Sequence, residues 1–475
     1  MKNEKLMKQK KKHMKRKRLI YIFITVILLI NMFLTTAFAA VYTEPENKRE
    51  FKVIGYYSGD LFNEPLENLQ TEKLTHVVYA FLIPQKDGTL AELKKPEQLK
   101  ELVAQGHNDG AKVFIAVGGW SYEGKPLQPV FEEAAASDET RKLLIENICA
   151  FVDEYNLDGV ELDWEHPNNN TIADYEKLAV ELSEALKLKG KEMTAALNGA
   201  WSKTAGPEPS MALSDKCLES FSFINVMAYD INNADHSPIW FSETSIDYWL
   251  NRGVAAEDIV IGMPLYARPS WMQYRHLVAL NPEYAFVDYA PTTPTESYYN
   301  GMNTLREKAI MALNKAGGVM LFDVNEDTND EYSIVSMIDN LIKRTEHLSK
   351  DELNKYITVL LDSRELVFLE EEGFGVPFIN ESGRTMIPLR KPLEAIDADV
   401  SYDGISRVVT AVKDDTIVKI PIDKNIIYVN GKEIETDTKA IIKDSRTYFP
   451  LRAVLEAFGY KAEWHNNSRT VILSK

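Results

Sequence analysis

Eight short apolar segments, separated by stretches with a helical period, dominate the first two thirds of the chain. Several are apolar on both faces, as in KVFIAV and GGVMLF, which is typical of parallel strands covered by helices. The segments span 51–57, 75–82, 112–117, 157–163, 192–198, 221–228, 258–265 and 318–323. Eight such units predict an α/β protein whose main domain, 51–345, is a (β/α)8 TIM barrel. An open doubly wound sheet is the alternative, and the lack of a glycine-rich phosphate loop disfavours it.

Residues 1–39 have the composition of an export signal. A basic run ends at Arg18, an almost wholly apolar run covers 19–34, and Ala37-Phe38-Ala39 forms a small-residue cleavage site. This order predicts a secretory signal peptide of bacterial type, cleaved after Ala39. We therefore expect a secreted or cell-surface protein. The alternative is an uncleaved membrane anchor, for which the apolar run is marginally short.

The charge of the chain is divided unevenly. The whole sequence has a net charge of −17, but residues 1–39 hold ten basic side chains and one acidic one, so the remainder carries −26. A body this acidic repels phosphate backbones, which argues against nucleic-acid binding. The two cysteines, Cys149 and Cys217, cannot form a disulfide framework and are interpreted as isolated thiols.

The sequence pattern changes after residue 345. The polar segment 346–356 is predicted to be a linker, and the region 357–475 reads mainly as strands. Within it, residues 384–411 align without gaps onto 446–473, with eleven of 28 positions identical. Each copy reads as a strand, a short helix and a strand, and 427–434 adds a hairpin with an Asn-Gly turn. The pattern predicts a C-terminal α+β module built from two similar repeat units that share one core.

The acidic segment 157–167, LDGVELDWEHP, carries the clearest chemical pattern. Side chains on a strand alternate, so Glu161, Asp163 and Glu165 point to one side, about 6.6 Å apart along the strand. Three carboxylates inside a barrel repel one another and lose hydration, so at least one pKa must rise. Glu165 ends the strand, where barrel enzymes place their chemistry, and a protonated carboxyl there suits a general acid. The alternatives are a solvated acidic strand, which the interleaved apolar residues oppose, and a Mg²⁺ site.

This segment resembles the catalytic signature of glycoside hydrolase family 18, the chitinases and their relatives, written D-G-x-D-x-D-W-E. The resemblance extends along the whole predicted barrel, because further family motifs occur in the right order. They are Tyr79-Ala80-Phe81, Gly118-Gly119-Trp120, Met227-Ala228-Tyr229-Asp230, the segment 262–268 (GMPLYAR), and Tyr299-Asn300-Gly301 followed by 317–320 (GGVM). Several ordered motifs at barrel spacing are a far stronger signal than the acidic segment alone.

The resemblance implies a substrate-assisted retaining mechanism on chitin or another glycan that contains N-acetylglucosamine. The 2-acetamido oxygen of the substrate, and no protein carboxylate, would attack the anomeric carbon. Glu165 would serve as acid and then base, Asp163 would bind the acetamido N–H, and Tyr229 would hold the acetamido carbonyl. The implied reaction is hydrolysis of β-1,4 bonds without a cofactor or a metal.

The resemblance also implies which residues surround the reacting sugar. Glu161 and Asp230 would support the reacting groups, and Trp120 would offer a stacking face. The other substrate-binding residues that it implies are Tyr56, Phe81, Gly119, Met227, Tyr266, Arg268 and Phe322. Three further tryptophans follow predicted strand ends and are additional candidates for stacking: Trp201, Trp240 and Trp271. For each aromatic residue the alternative is a place in the barrel core.

Four positions depart from the family pattern. Glu161 stands where the family has Asp, Ala116 where it has Ser, His166 where it has Tyr, and Phe322 where it has Trp. We expect Ala116 and Glu161 to compensate each other, with Glu161 poorly hydrogen-bonded as an anion and its pKa raised for that reason. The segment 268–299 is too short for the extra α+β module of some family members, which predicts a shallow groove.

The C-terminal region resembles the copper amine oxidase N-terminal-like, or stalk, domain. The matching segments are 428–431 (YVNG), 446–452 (RTYFPLR) and 456–459 (EAFG). His465 stands alone there, so no copper role is expected. A spacer role or contact with the cell wall is the favoured interpretation.

Two other functions remain open at this point. One is a related endo-N-acetylglucosaminidase acting on peptidoglycan or N-glycan cores, and the other is a non-catalytic sugar-binding barrel. Loss of Glu165 or Asp163 would have indicated the non-catalytic protein, and both residues are present.

Overall fold

The computed structural model describes residues 51–59, 66–369, 373, 375–466 and 469–475. The predicted signal peptide, 1–39, lies outside the described residues and stays a prediction. Within the described residues, no helix is long and apolar enough to cross a membrane.

Eight parallel strands close into a barrel in chain order, and the last pairs with the first. They are Lys52–Tyr57 (β1), His76–Leu82 (β2), Lys112–Gly119 (β3), Gly159–Trp164 (β4), Glu192–Asn198 (β5), Ile224–Met227 (β6), Ile259–Pro264 (β7) and Gly318–Phe322 (β8). The eight predicted strands are confirmed, and their limits differ by three residues at most. The main domain is therefore a (β/α)8 TIM barrel, which excludes the open sheet.

Helices cover the outside of the barrel and bury their apolar faces against the strands. The helices are Pro96–Asp109, Gln128–Ala136, Asp138–Glu154, Ile172–Leu188, Glu208–Ala212, Asp215–Leu218, Ile239–Asn251, Tyr274–Leu280, Met302–Lys315 and Ile334–Thr345. In Asp138–Glu154 the Ser137 hydroxyl accepts from the Thr140 N–H, which caps the first turn. The segment predicted to be short, 268–299, forms the helix Tyr274–Leu280 and a sheet of three two-residue strands.

Strand alternation separates the barrel interior from the layer between strands and helices. On β4, Val160, Leu162 and Trp164 belong to the outer apolar core, which joins the strands to the helices. Glu161 and Asp163 lie between them and point into the barrel. One strand therefore contributes both to the stability of the fold and to a row of buried acids.

The C-terminal module contains three sheets and two helices among the described residues. The first four-stranded sheet contains Arg364–Glu365, Thr358–Leu361, Thr470–Ser474 and Lys461–His465. The second contains Phe378–Ile379, Thr385–Pro388, Arg446–Pro450 and Ile441–Lys443. The five-stranded sheet is Asp399–Asp403, Val408–Lys413, Thr416–Pro421, Ile426–Val429 and Lys432–Glu435. The helices Arg390–Ala395 and Leu451–Ala457 occupy equivalent places in the two copies of the repeat, which confirms the two predicted strand–helix–strand units.

The two repeat units pair with each other through their first strands. Thr385–Pro388 and Arg446–Pro450 run antiparallel, with Ile387 opposite Phe449. These two residues are equivalent positions of the repeat, so their pair lies on a local two-fold axis. Both side chains are fully buried, and the repeat units therefore share one core, as the sequence predicts.

A buried ion cluster joins the barrel to the C-terminal module. Glu365 contacts the guanidinium groups of Arg306, at 3.0 Å, and Arg344, at 3.2 Å. The side chains of Arg306, Glu365 and Arg344 are 5%, 9% and 14% exposed. The carboxylate of Glu365 is thus the shared partner of two arginines on barrel helices.

The segment 346–356, predicted as a linker, contains the helix Lys350–Leu353.

Replacing Glu365 with glutamine should lower the free energy of unfolding by about 3 kcal/mol, because two buried guanidinium groups lose their counter-charge. Glu394→Gln is the matched control, since its pair with Arg390 is exposed and is worth less than about 1 kcal/mol. Denaturant unfolding of both variants measures the difference. Equal stability of the two would show that the ion cluster contributes nothing to joining the barrel and the module.

Candidate active site

The three aligned carboxylates run from the barrel interior to the carboxyl end of β4. Glu161 and Asp163 are 0% and 3% exposed, and the side chain of Glu165, just after β4, is 17% exposed. Because the residues between them face the helices, the predicted alternation is confirmed. The row of acids therefore leads from the core to the open end of the barrel, where its last member can meet a ligand.

Glu161 receives its hydrogen bonds from β5 and β6. The Thr194 hydroxyl donates to Glu161 Oε2, and Asn225 Nδ2 donates to the same oxygen at 3.0 Å. Ala116 lies directly across from Glu161 on β3 and offers no donor. Burial raises the pKa of Glu161 to about 7, against the effect of hydrogen bonds from Thr194, Tyr56 and Asn225. The pKa shifts in the expected direction, and burial is its largest cause. Thr194 and Asn225 both donate to Oε2, and Glu161 Oε1 has no hydrogen-bond partner among the described residues.

Asp163 and Glu165 lie in surroundings that favour their protonated forms. Burial, followed by the charge of Glu161, raises the pKa of Asp163 well above its usual value. Burial, followed by the charges of Asp163 and Asp230, does the same for the pKa of Glu165. Asp163 Oδ1 has no hydrogen-bond partner among the described residues. Glu165 can therefore carry a proton at neutral pH, and Asp163 Oδ1 is a buried acceptor whose hydrogen-bonding capacity is unused.

The stability of the protein should fall as the pH rises from 5 to 7. Folded Glu161 keeps its proton up to a pKa of about 7, whereas an unfolded glutamate loses it near pH 4.3. The unfolded state therefore binds fewer protons in this range, and Glu161 lowers the free energy of unfolding by up to about 1.4 kcal/mol per pH unit. Glu161→Gln should remove that share of the slope. Urea unfolding at pH 5, 6 and 7 measures it, and parallel curves for the two proteins would contradict the assignment.

Four aromatic rings meet at the same end of the barrel interior. The Phe322 ring lies 5.5 Å from Tyr56 and 6.3 Å from both Tyr229 and Tyr266, between ring centroids. Burial, followed by the charges of Glu165 and Asp163, raises the pKa of Tyr229 well above its usual value. The Tyr229 hydroxyl is therefore neutral and available as a donor beside the acids.

Asp230 is held in place as an anion by residues from two loops. Tyr266 Oη donates to Asp230 Oδ2 at 2.7 Å, while His236 Nδ1 and Arg268 lie 3.1 Å and 3.6 Å from Oδ1. Burial tends to raise the pKa of Asp230, but the hydrogen bonds from His236 and Tyr266 and the charge of Arg268 lower it overall. The resulting negative charge helps to raise the pKa of Glu165.

His166 lies between the end of β4 and the end of β5. Its Nε2 is 3.2 Å from Asn198 Nδ2 and 3.5 Å from Glu165 Oε2, and its ring centroid is 6.2 Å from that of Trp120. Burial lowers the pKa of His166 to about 4. The imidazole is therefore neutral at physiological pH and adds no positive charge beside Glu165.

Glycine is required where β3 approaches β4 and β2. Gly118 and Gly119 have φ values of 117° and 92°, and a Cβ on Gly119 would meet the Phe81 ring at 3.1 Å. Phe81 is half-buried at the end of β2, and Met227 is half-buried at the end of β6. The tryptophans that follow strand ends are exposed: Trp120, Trp201, Trp240 and Trp271. These side chains are therefore no part of the core, but the Trp271 ring stacks on Tyr266 and has the Arg268 guanidinium 4.1 Å from its centroid.

The sequence reasoning missed four polar residues that support the predicted ones: Thr194, Asn198, Asn225 and His236. Thr194 and Asn198 occupy alternate positions of β5, and Asn225 is a polar residue within the otherwise apolar β6. Polar residues at inward positions of apolar strands were the available signal. His236 lies in a loop, and nothing in the sequence ties it to Asp230.

Comparisons with known proteins agree with this geometry. The sequence profile described as "Glycosyl hydrolases family 18" matches residues 52–327, and "Copper amine oxidase N-terminal domain" matches 371–473. The chain is 29% identical over 246 residues to a probable endochitinase of Caenorhabditis elegans, covering 44% of this chain and 38% of the relative. It is 26% identical over 274 residues to an endochitinase of Manduca sexta, covering 49% and 48%. The chain thus spans about half, or less, of these relatives' lengths.

Solved structures support the fold in the same way. A family 18 chitinase from Flavobacterium johnsoniae aligns with a TM-score of 0.55 at 24% identity, over 64% of this chain and 98% of that one. A chitinase from Bacteroides thetaiotaomicron aligns with a TM-score of 0.53 at 23% identity, over 63% and 98%.

The described residues of the C-terminal region do not form a copper site. His465 lies exposed on the strand Lys461–His465, and no group of three or more His, Cys, Asp or Glu side chains in the described residues could hold a metal ion. The residues present therefore do not fit copper.

The profile that covers more than half of the chain, the closed barrel and the row of acids on β4 lead to one conclusion: this chain belongs to glycosyl hydrolases family 18.

Proposed function

We propose that the protein hydrolyses β-1,4 bonds next to N-acetylglucosamine, in chitin or chitooligosaccharides, by a substrate-assisted retaining mechanism. The observation that carries this proposal is the row of acids on β4. It ends in Glu165, whose carboxyl is held protonated at the open end of the barrel beside an unpaired Asp163 oxygen. Such a pair can donate a proton and accept a substrate N–H at the same place.

In the first step the acetamido oxygen of the substrate forms a bond to the anomeric carbon while the glycosidic C–O bond breaks. Glu165 gives its proton to the leaving oxygen and becomes a carboxylate. Asp163 accepts the acetamido N–H through a carboxyl oxygen, which places partial negative charge beside the oxazolinium ion. The neutral Tyr229 hydroxyl donates to the acetamido oxygen and holds it in line for attack.

In the second step water attacks the anomeric carbon from the side that the leaving sugar vacated. Glu165 takes a proton from that water and returns to its acid form. The bond between the acetamido oxygen and the anomeric carbon breaks, which regenerates the N-acetyl group. Two displacements at one carbon retain the β configuration of the product.

The surroundings of the row of acids suit an uncharged polymer. Exposed tryptophans after β3, β5 and β6 offer flat apolar faces, on which sugar rings can stack. The net charge of −26 outside residues 1–39 disfavours polyanions. Both properties favour chitin over peptidoglycan as the substrate.

Product analysis tests the proposal. The protein is incubated with N-acetylglucosamine tetramers to hexamers, with the fully deacetylated glucosamine oligomers as matched control, and with purified peptidoglycan. We expect shorter products with a β anomer at the new end from the acetylated oligomers only, read by mass spectrometry and by NMR at early times. An α-anomeric product, or equal cleavage of the deacetylated oligomers, would contradict the mechanism. Products from peptidoglycan alone would favour the alternative endo-N-acetylglucosaminidase, and no products at all would favour a sugar-binding barrel.

We also propose that residues 1–39 direct export and that the C-terminal module contacts the cell wall. The support is the basic, apolar and small-residue order of the first segment and the profile matched by 371–473. Cell fractionation of the full chain and of a chain lacking residues 1–39 tests the first point. Sedimentation of the purified module with cell walls tests the second.

A further inference from the structure

A lysine is completely buried behind the loop that carries Tyr229 and Asp230. Lys308, on the helix Met302–Lys315, is 0% exposed. A lysine on a barrel-covering helix ordinarily reaches solvent, because an ammonium group loses much hydration when it is buried. The burial of Lys308 therefore requires a physical explanation.

Three oxygens take up all the donor capacity of the ammonium group. Lys308 Nζ donates to Ser237 O, to Ser237 Oγ and to Asn300 Oδ1, each at 2.6 Å. An ammonium group has three N–H donors and no acceptor, so these contacts satisfy it completely. Burial lowers the pKa of Lys308 to about 7, and the charge of Asp288 opposes that shift. The lysine is therefore mostly charged at pH 6.

The hydrogen bonds continue from Lys308 to the backbone beside the site. Ser237 Oγ, which accepts from Lys308, donates to the carbonyl oxygen of Ala228 at 2.6 Å. Ala228 is the residue before Tyr229, and Asp230 follows with a left-handed φ of 61°. On the other side, His236 precedes Ser237 and lies 3.1 Å from the Asp230 carboxylate. One serine thus connects the lysine to both ends of the loop 228–237.

We propose that Lys308 is a positioning residue for the proposed reaction and acts through Ser237 to hold Tyr229 and Asp230 in the working geometry. Neither Lys308 nor Ser237 touches the substrate in this proposal. The inference rests on the proposed function, because it assigns Tyr229 the task of aligning the acetamido group. Displacement of such a group by about 1 Å can cost on the order of 100-fold in rate.

The test compares Lys308→Met, Ser237→Ala and the double variant at pH 6 on N-acetylglucosamine oligomers. Methionine keeps the length of the side chain and removes its donors. We expect each single variant to lower kcat by about 10- to 100-fold with KM changed less than about threefold. The double variant should be no slower than the worse single one, because both changes break the same chain of hydrogen bonds.

Two controls separate positioning from stability. Lys315→Met removes a lysine from the same helix that pairs with Glu243 on the surface, and it should keep wild-type kcat. Ala309→Gly weakens the same helix beside Lys308, and it should lower the melting temperature without lowering kcat. If Lys308→Met does not fold, Ser237→Ala carries the test alone.

Each outcome decides the proposal. A kcat for Ser237→Ala within about threefold of wild type, or losses that multiply in the double variant, would overturn the positioning role while leaving the proposed function intact. A loss in Ala309→Gly as large as that in Lys308→Met would overturn it too, because instability would then explain both. Absence of hydrolysis by the wild-type chain would overturn the proposed function, and this inference with it.

Discussion

Replacing Glu165 with glutamine is expected to lower kcat by about 10²–10⁴-fold, the usual contribution of a general acid–base residue. The loss falls toward the larger value because one carboxyl serves both steps of the proposed reaction. Glutamine has the same shape but neither gives nor takes the proton. The fold should survive, since burial already favours the uncharged form of Glu165, and an amide is uncharged as well. Steady-state kinetics on N-acetylglucosamine oligomers measures the change.

Glu101→Gln is the matched control, because Glu101 is exposed on the helix Pro96–Asp109. It should have wild-type kcat. Glu165→Gln should keep its circular dichroism spectrum and bind the oligomers as well as the wild type does, by calorimetry. If Glu165→Gln kept more than about a tenth of the wild-type kcat, a different residue would have to be the acid.

Tyr229→Phe is expected to lower kcat by about 10²–10³-fold, which is typical for removal of one hydrogen-bond donor aimed at developing charge. Phenylalanine keeps the ring that packs against Phe322 and Tyr266, so the pocket should retain its shape. Only the hydroxyl that would hold the acetamido oxygen in the proposed reaction is lost. Because that contact matters most while the new bond forms, kcat should fall more than KM changes.

Tyr289→Phe serves as control, since Tyr289 is exposed and lies in the three-stranded sheet, outside the barrel interior. It should leave kcat unchanged. A Tyr229→Phe variant with kcat within about threefold of wild type would remove Tyr229 from the mechanism. The acid assignment of Glu165 would then still stand, because the two variants test different groups.

Glu161 is the buried acid at the base of the row. Its Oε2 lies toward β5 and β6, where Thr194 and Asn225 donate to it, while Oε1 has no partner among the described residues and Ala116 across from it offers no donor. The pKa of Glu161 is raised to about 7, and its charge helps to raise the pKa of Asp163, the next acid in the row. Glu161 therefore places a titrating acid at the base of the row.

The local pattern of the sequence determined where the barrel strands lie and on which side of a strand each side chain points. The alternation of apolar strands and helical segments predicted all eight barrel strands, because parallel strands buried on both faces are apolar throughout. The period of two along β4 placed Glu161, Asp163 and Glu165 on one side. The internal repeat predicted the paired units of the C-terminal module. Each of these depends on neighbours within one segment, so no distant contact had to be known.

The tertiary structure alone decided which residues support the site and how the parts join. Thr194 and Asn225 reach Glu161 because barrel closure sets the register of β4, β5 and β6. Lys308 reads as a surface lysine in its helix, and Glu365 reads as an ordinary charge in a strand. Ser237, which accepts from Lys308, is 71 residues away from it in the sequence. Arg344, which donates to Glu365, is 21 residues away from it. Such pairings arise only when packing brings distant segments together and burial makes an unpaired charge costly.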